Sequence, residues 1–261
     1  MSRLLIQDVA RRLLAAERSG TPIEPVADLL GADDLTAAYA VQAELLASGL
    51  AAGRRLVGRK IGLTSKVVQA QLGVDQPDYG ALFADMEIED GGMLACDRLI
   101  QPRIEAELAF VLGRDLMSPD VALWELIGAV DHVLPALEIV DSRITGWRIG
   151  IVDTIADNGS SARFVVGANP KRLTDVALDS CAMTLARNDE TTSQGSGAAC
   201  LGHPLKAALW LARTMAASGA PLRAGDLVLT GALGPMVDAQ AGDRFRAEIE
   251  GFGAVSVEFG A

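Results

Sequence analysis

The segment Arg103-Ile104-Glu105-Ala106-Glu107-Leu108-Ala109-Phe110 decides how this chain is interpreted. Its alternation predicts a β-strand, because successive side chains of a strand point to opposite faces. Glu105 and Glu107 then share one face, about 6.6 Å apart along the backbone, while the apolar side chains share the other. Two carboxylates so close to an apolar core repel each other unless a positive charge lies between them. The pair therefore predicts a cation site, and a solvated sheet edge is the alternative.

A third acid, Glu138, stands inside the apolar run from residue 133 to residue 140. Hard cations such as Mg²⁺ and Mn²⁺ prefer carboxylate oxygens. Glu105, Glu107 and Glu138 are therefore the predicted ligands of a divalent metal, Mg²⁺ or Mn²⁺. The sequence has no CxxC motif and no paired histidines, which argues against zinc.

The composition predicts a globular chain, since 261 residues of which 50% are hydrophobic can bury a full core. A net charge of −11 without a cluster of lysine or arginine argues against nucleic acid or an anionic membrane as a partner. The amino terminus becomes polar too soon for a signal peptide, and no apolar run is long enough to cross a bilayer, so a cytoplasmic location is expected. The three cysteines are widely spaced and predict reduced thiols.

Hydrophobic periodicity divides the chain at residue 55. Residues 1–55 predict a helical amino-terminal section, and residues 56–261 predict a β-rich catalytic body of short strands broken by glycine. Strands are predicted at 56–61, 104–112, 133–140, 163–166, 182–187 and 227–230, with a hairpin over 244–259 and further helices at 121–130 and 204–217. The absence of a regular βαβ alternation favours an α+β fold with a mixed, mostly antiparallel sheet, on which the amino-terminal helices pack.

Lys60 is a candidate proton-transfer residue, because it ends a predicted strand between two glycines that allow close backbone approach. Partial withdrawal from water would lower the pKa of this lysine and let it exchange protons. An ordinary surface lysine is the alternative.

Three further segments carry more polar or glycine character than a core requires. Asp78 follows Pro77 in a predicted turn. Residues 157–161 and 230–235 offer hydroxyls and free amides that suit a carboxylate, although each segment taken alone is typical of a loop.

Taken together, these segments resemble the hydratase and decarboxylase branch of the fumarylacetoacetate hydrolase superfamily. The matching segments are GRKIGLTS (58–65), GVDQPDYGALFADM (73–86), QPRIEAELAFVL (101–112), LPALEIVDSRI (134–144), DTIADNGSS (153–161), LGHPLKAALWLA (201–212) and GDLVLTGALGPM (225–236). The resemblance implies a twisted β-roll body and assembly into homo-oligomers.

The resemblance also implies roles for individual residues. Glu105, Glu107 and Glu138 match the metal ligands of the family, and Lys60 and Asp78 match its proton-transfer residues. Three further residues are expected to contact the substrate: Leu72, Ser160 and Thr230.

The activity implied by the resemblance is the metal-dependent hydration of 2-hydroxypenta-2,4-dienoate to 4-hydroxy-2-oxopentanoate. The substrate of this branch is a small dienol acid formed when aromatic rings are opened by meta-cleavage. Its carboxylate and 2-oxygen would chelate the metal, and Lys60 and Asp78 would share the proton transfers. The sequence does not decide which of these two residues activates water.

Other activities within and beyond this branch stay open. A 4-oxalocrotonate decarboxylase would use the same chelated acid, and Asp78 argues against it because the decarboxylase tends to carry an apolar residue there. Hydratases of longer dienoates share the motifs. A carbon–carbon hydrolase is disfavoured, since it needs a water-activating histidine and the chain has only His132 and His203. A poorly active partner subunit of a pathway decarboxylase or aldolase is disfavoured by the intact candidate residues.

Overall fold

A computed structural model describes residues 1–66, 69 and 74–260 of the chain, and it confirms an α+β fold. The described helices are α1 (Arg3–Ser19), α2 (Ala27–Leu30), α3 (Leu35–Ala51), α4 (Leu123–Ala129), α5 (Ile151–Ala156) and α6 (Pro204–Ala217). The described strands are β1 (Leu56–Gly62), β2 (Asp78–Phe83), β3 (Glu87–Ile88), β4 (Met93–Leu94), β5 (Arg103–Leu112), β6 (Val130–Val140), β7 (Ser161–Val166), β8 (Ala182–Arg187), β9 (Glu190–Ser196), β10 (Leu227–Leu229), β11 (Val237–Asp238), β12 (Arg244–Ile249) and β13 (Gly253–Phe259).

The strands form two mixed sheets. The larger has eight strands in the order β2-β1-β10-β5-β6-β7-β3, with β11 paired to β5. The smaller has five strands in the order β4-β13-β12-β8-β9. Three pairs are parallel, namely β1 with β10, β3 with β7 and β4 with β13, and the other described pairs are antiparallel.

The apolar face of β5 belongs to the main core, which also contains residues of the five-stranded sheet and α6. Ile104, Ala106, Leu108 and Phe110 share one buried cluster with residues of β12, β13 and α6, among them Phe245, Val257, Phe259 and Leu211. Because side chains alternate along β5, this packing turns the odd-numbered residues to the opposite face of the sheet. The core thereby fixes the direction in which Glu105 and Glu107 point.

The amino-terminal helices pack against α5 through a second apolar cluster. Val9, Leu13, Val41 and Ile155 are all buried in it. Gln42 of α3 adds polar contacts, because its side-chain amide donates to the carbonyls of Tyr79 (2.7 Å) and Ile155 (3.0 Å). The division of the chain into residues 1–55 and 56–261 stays a prediction about domain organisation.

Most predicted elements of the body are confirmed, with boundaries that differ by a few residues. The hairpin over residues 244–259 is β12 and β13, which pair in antiparallel register. The helix predicted at 204–217 is α6, and His203 caps it by accepting from the amide of Leu205 at 3.1 Å. Among the residues with described structure, no helix is both long and apolar enough to cross a membrane.

Candidate active site

Three carboxylates meet on one face of the central strands β5 and β6. Glu105 lies directly opposite Glu138 in the antiparallel register, and Glu107 follows two residues along β5 on the same face. One carboxylate oxygen from each residue lies within 4.8 Å of the others. Glu107 and Glu138 are fully buried and Glu105 is partly exposed. The solvated sheet edge considered as the alternative is therefore wrong.

Burial raises the pKa values of these carboxyl groups and leaves some of their oxygens without hydrogen-bond donors. Burial and the charge of Glu138 raise the pKa of Glu105 to about 8, and the same two causes raise the pKa of Glu107 well above its ordinary value. Glu107 Oε2 accepts from the amide of Gly231 at 2.8 Å, but Glu107 Oε1 and Glu138 Oε1 have no hydrogen-bond partner in the described structure. Buried carboxylate oxygens without donors are suited to a hard divalent cation. Glu105, Glu107 and Glu138 could thus hold one.

Lys60 reaches the carboxylate cluster from β1. Its Nζ lies 3.2 Å from Glu138 Oε2, and both side chains are buried. The sequence predicted a lowered pKa for Lys60, and the structure gives the opposite direction. Burial alone would lower the pKa of Lys60, but nearby carboxylates, with Glu138 foremost, outweigh it and raise the pKa. The nearby carboxylates thus favour the charged form of Lys60, and positive charge bound by the same carboxylates would act in the opposite direction.

Glycines leave room for the Lys60 side chain. A Cβ atom added at Gly159 would lie 3.1 Å from Lys60 Cε, and one added at Gly80 would lie 3.3 Å from Lys60 Cγ and would overlap the carbonyl of Asn158. Gly159 also has a φ of +62°, which favours glycine. A side chain at either position would therefore crowd Lys60.

Asp78 opens strand β2 beside Lys60, and the turn predicted for it is wrong. It pairs with Gly62 of β1, and its side chain accepts a hydrogen bond from Thr154 Oγ1 at 3.2 Å. The preceding proline is typical of turns, but it is also tolerated just before a strand, whose identity here depends on pairing with β1. Burial raises the pKa of Asp78, and the charge of Lys60 opposes this effect.

A cavity of about 580 Å³ brings the predicted residues together. Lys60, Asp78, Glu105 and Ser160 all line it. Thr154 and Trp147 line it as well, and the sequence analysis assigned neither of them a role. The contact between Thr154 and Asp78 joins residues 76 positions apart, so no local pattern could reveal it.

Ser160 is held rigidly on the cavity wall. It adopts a left-handed conformation with φ of +53°, and its hydroxyl donates to Asp157 Oδ2 at 3.2 Å. Its carbonyl accepts from the amide of Asp141 at 2.8 Å. Such strained residues persist where surrounding contacts define them fully, often at binding sites.

The other two predicted substrate contacts have different outcomes. The Thr230 hydroxyl donates to the carbonyl of Leu108 at 3.0 Å, and its fully buried side chain is not part of the described cavity wall. A glycine-rich segment suggested a free hydroxyl there, but β10 turns it towards β5. Leu72 lies outside the described residues.

A buried ion pair beneath Ser160 was missed by the sequence analysis. Arg143 Nε donates to Asp157 Oδ1 at 2.5 Å, and its other nitrogens donate to the carbonyls of Asp141, Ser161 and Asp157. Burial raises the pKa of Asp157 to about 6 although Arg143 opposes the shift. The motif DSRI contains the arginine, but only the fold brings it to Asp157.

Neither histidine nor the buried thiol lies on the described cavity wall. His132 pairs with Asp131 at 3.0 Å, and His203 is the cap of α6. Cys200 donates to the carbonyl of Thr230 at 2.7 Å, and burial raises the pKa of its thiol. No histidine is therefore available here to activate water for carbon–carbon hydrolysis.

Comparisons with known proteins identify the family of this chain. The family model described as fumarylacetoacetate (FAA) hydrolase C-terminal matches residues 81–259. The chain is 55% identical over 258 residues to 2-keto-4-pentenoate hydratase 1 of Dechloromonas aromatica strain RCB, covering 99% of this chain and 98% of that protein. It is 54% identical over 254 residues to the TodF product hydratase of Pseudomonas putida strain F1, covering 97% and 95%.

A solved structure shares nearly the whole fold. It is the 4-oxalocrotonate decarboxylase of Pseudomonas putida G7 complexed with magnesium and adipate, with a TM-score of 0.96 and 35% identity, covering 99% of this chain and 98% of that one. The family model spans residues 81–259, which is most of the body, and the two hydratases are 54–55% identical to this chain over nearly its whole length. The chain belongs to the fumarylacetoacetate hydrolase family, in its hydratase and decarboxylase branch, and is an enzyme of the hydro-lyase class.

Proposed function

We propose that this enzyme catalyses the metal-dependent hydration of 2-hydroxypenta-2,4-dienoate to 4-hydroxy-2-oxopentanoate in the meta-cleavage degradation of aromatic compounds. One observation carries the proposal: the buried side chains of Lys60 and Asp78 line a cavity of about 580 Å³ together with Glu105, which belongs to the three-carboxylate cluster. The relatives at 54–55% identity are named as hydratases, one of them for 2-keto-4-pentenoate. That name is the reason for choosing the five-carbon substrate.

Glu105, Glu107 and Glu138 would hold the proposed Mg²⁺ or Mn²⁺. The unpartnered oxygens of Glu107 and Glu138 supply buried negative charge that fits such an ion. When bound, the metal would act as a Lewis acid towards the carboxylate and 2-oxygen of the substrate. The related decarboxylase was solved as a complex with magnesium, which supports a divalent ion.

The reaction adds one proton at C5 and one at C3 and consumes one water. A proton adds to C5 of the dienol while its hydroxyl proton leaves, which gives a conjugated 2-oxo-3-enoate. Water then adds its oxygen to C4 and a proton to C3. A positioned acid and base contribute factors of about 10² to 10⁴ to such a rate.

Asp78 is the proposed carrier of the proton exchanged with water. Burial raises its pKa, which favours the protonated form more than in an exposed carboxyl group. Thr154 Oγ1 donates to Asp78 Oδ2 and fixes the orientation of the carboxyl group. Lys60, which the carboxylates keep charged, would orient the oxygen-rich end of the substrate and donate to it.

Ser160 is the proposed hydrogen-bonding contact to the substrate. It lines the cavity, and its backbone is fixed at both the amide and the carbonyl. The substrate roles of Leu72 and Thr230 stay predictions. Assembly into homo-oligomers, a cytoplasmic location and contact with a pathway decarboxylase or aldolase also stay predictions.

Decarboxylation of 4-oxalocrotonate is a second candidate, because the decarboxylase structure matches with a TM-score of 0.96. The buried carboxyl group of Asp78 argues for hydration, since loss of CO₂ needs no acid to deliver water. The higher identity to hydratases points the same way.

The test is a turnover assay with the purified chain stripped of metal. Freshly generated 2-hydroxypenta-2,4-dienoate is mixed with the chain, with and without Mg²⁺ or Mn²⁺, and loss of diene absorbance is followed while NMR identifies the product. Metal-dependent formation of 4-hydroxy-2-oxopentanoate is expected. Release of CO₂ from 4-oxalocrotonate without dienoate hydration would transfer the assignment to the decarboxylase, and inactivity on both would contradict the proposal.

A further inference from the structure

The odd-numbered face of β5 runs from the interior towards the surface. Glu107 is fully buried, Glu105 is partly exposed, and the side chain of Arg103 is 31% exposed. Residues two apart on a strand are separated by about 6.8 Å. Arg103 therefore marks the outer end of the site, roughly one five-carbon chain away from the carboxylate cluster.

Apolar side chains line the cavity at this outer end. Val140 lies opposite Arg103 in the β5–β6 register, and Met236 directly precedes Val237, which pairs with Ile104. Val140, Trp147 and Met236 all line the cavity, and we call these three residues the outer wall.

Trp147 is fixed in place between the cavity and Arg103. Its indole Nε1 donates to the carbonyl of Gln101 at 2.9 Å, and its φ of +55° is rare for a bulky residue. The Arg103 guanidinium lies 4.5 Å from the ring centroid, and Arg103 Nε donates to Asp238 Oδ1 at 2.7 Å. Arg103 is not part of the described cavity wall, so the ring separates its charge from the interior.

The described part of the cavity wall offers no other cation for a second carboxylate. Lys60 is the one positively charged side chain among the described lining residues, and it already pairs with Glu138. A carboxylate at the outer end would exchange part of its hydration for contact with the apolar outer wall, without a cationic partner among the described lining residues, which is costly.

We propose that the outer wall selects dienoates whose far end is uncharged, hydrogen or alkyl, and rejects dicarboxylic acids, and that Trp147 enforces this choice by screening Arg103. The inference rests on the proposed function in one respect: it places the 2-oxo acid end of the ligand at the carboxylate cluster. It deepens that function, because it separates this site from one that takes a dicarboxylic substrate.

The test uses two unreactive analogues that differ only at the far end, 2-oxohexanoate and 2-oxoadipate. Their affinities for the Mg²⁺-loaded chain are measured by calorimetry. We expect 2-oxohexanoate to bind about tenfold to a hundredfold more tightly, the range for an unpaired buried polar group. Equal affinities, or tighter binding of 2-oxoadipate, would overturn the inference.

Two variants test the role of the outer wall. Trp147→Leu uncovers Arg103, and Met236→Lys adds a cation to the wall should the tryptophan variant fail to fold. Each is expected to shrink the preference for the monoacid about tenfold. The matched controls are Trp124→Leu and Met93→Lys, at residues that are 73% and 69% exposed and do not line the cavity, and they should keep the wild-type preference. An unchanged preference in both wall variants would refute the role of Trp147.

The outcomes separate this inference from the proposed function. A preference for 2-oxohexanoate in a chain that hydrates no dienoate would uphold the inference and contradict the proposed function. Hydration of 2-hydroxypenta-2,4-dienoate together with equal binding of the two analogues would uphold the proposed function and contradict the inference. Failure of both analogues to bind would contradict the placement of the 2-oxo acid end, and with it both statements.

Discussion

Strands β5 and β12 share one sequence pattern and differ in function. Both alternate apolar and charged residues, with Glu105 and Glu107 on β5 and Arg246 and Glu248 on β12. On β12 the charged side chains are exposed and pair with each other at the surface. On β5 the Glu107 side chain is fully buried.

The difference comes from what covers each strand. β12 lies in the five-stranded sheet, where Phe245, Ala247 and Ile249 face the core and the charged residues face solvent. On β5 the polar face is covered instead: the amide of Gly231 donates to Glu107 Oε2, and Lys60 reaches Glu138 on the adjacent strand β6. Alternation thus shows which residues share a face, and only the fold shows whether that face holds water or a site.

The largest expected effect is on kcat, and it compares two aspartates three residues apart, one buried and one exposed. Asp78→Asn should lower kcat by about 10² to 10⁴, because the buried carboxyl group can no longer exchange a proton. Asp75→Asn, at an exposed position three residues earlier, should leave kcat unchanged. Steady-state kinetics with the dienoate and a parallel Mn²⁺ titration make the comparison. Loss of Mn²⁺ binding along with turnover in Asp78→Asn would contradict a role confined to proton transfer.

The next effect compares a buried ion pair with a surface one. Arg143→Met leaves Asp157 without its partner inside the protein and should lower the free energy of unfolding by about 3–5 kcal/mol. Arg246→Met breaks the exposed pair with Glu248 and should change it by at most about 0.5 kcal/mol. Urea unfolding of both variants measures the difference. Similar losses in the two would show that burial does not govern the value of these pairs.

A smaller effect is the pH dependence of metal binding. The pKa of Glu105 is raised to about 8, so below that pH a divalent ion must displace a proton. The affinity for Mg²⁺ should rise about tenfold for each pH unit between 6 and 8. Calorimetry in buffers of different ionisation enthalpy reports both the affinity and the protons released. An affinity independent of pH over this interval would contradict burial of the cluster.

The smallest effect is on how the free energy of unfolding of the metal-stripped chain depends on pH. The pKa of Glu105 is above its ordinary value of 4.5, so the folded chain holds a proton that the unfolded chain releases, and stability falls as pH rises from 4.5 towards 8. Glu107→Gln should reduce this fall by at least about 1 kcal/mol, because it removes a second buried carboxyl group whose pKa is raised in the folded chain. Glu248→Gln on β12 should leave it unchanged, and thermal melts at pH 5 and pH 8 provide the measurement.

The carboxylate cluster could be predicted from the sequence because alternation is a local property. Glu105 and Glu107 share a face in any regular strand, and Glu138 is conspicuous inside an apolar run. The contacts across the sheet could not be predicted in this way. Asp78 belongs to a strand because β1 pairs with it, and Thr154 reaches it from α5.

The pKa shifts and hydrogen-bond partners of the buried polar side chains were the least predictable from the sequence. Burial of Lys60 was expected to lower its pKa, but carboxylates from β2, β5 and β6 surround it and reverse the direction. The Thr230 hydroxyl was expected to be free, yet the neighbouring strand supplies its partner. Both depend on groups distant in sequence, which no single segment contains.

The most direct test of the account is Mn²⁺ binding to the metal-stripped chain and to the variant with Glu105, Glu107 and Glu138 all changed to Gln. A matched variant changes the exposed Glu87, Glu190 and Glu248 to Gln. Electron paramagnetic resonance should detect one Mn²⁺ per chain in the wild type and in the matched variant, with affinity lowered at least about a hundredfold in the first variant. Wild-type affinity in the variant without the three buried glutamates would contradict the assignment of the site.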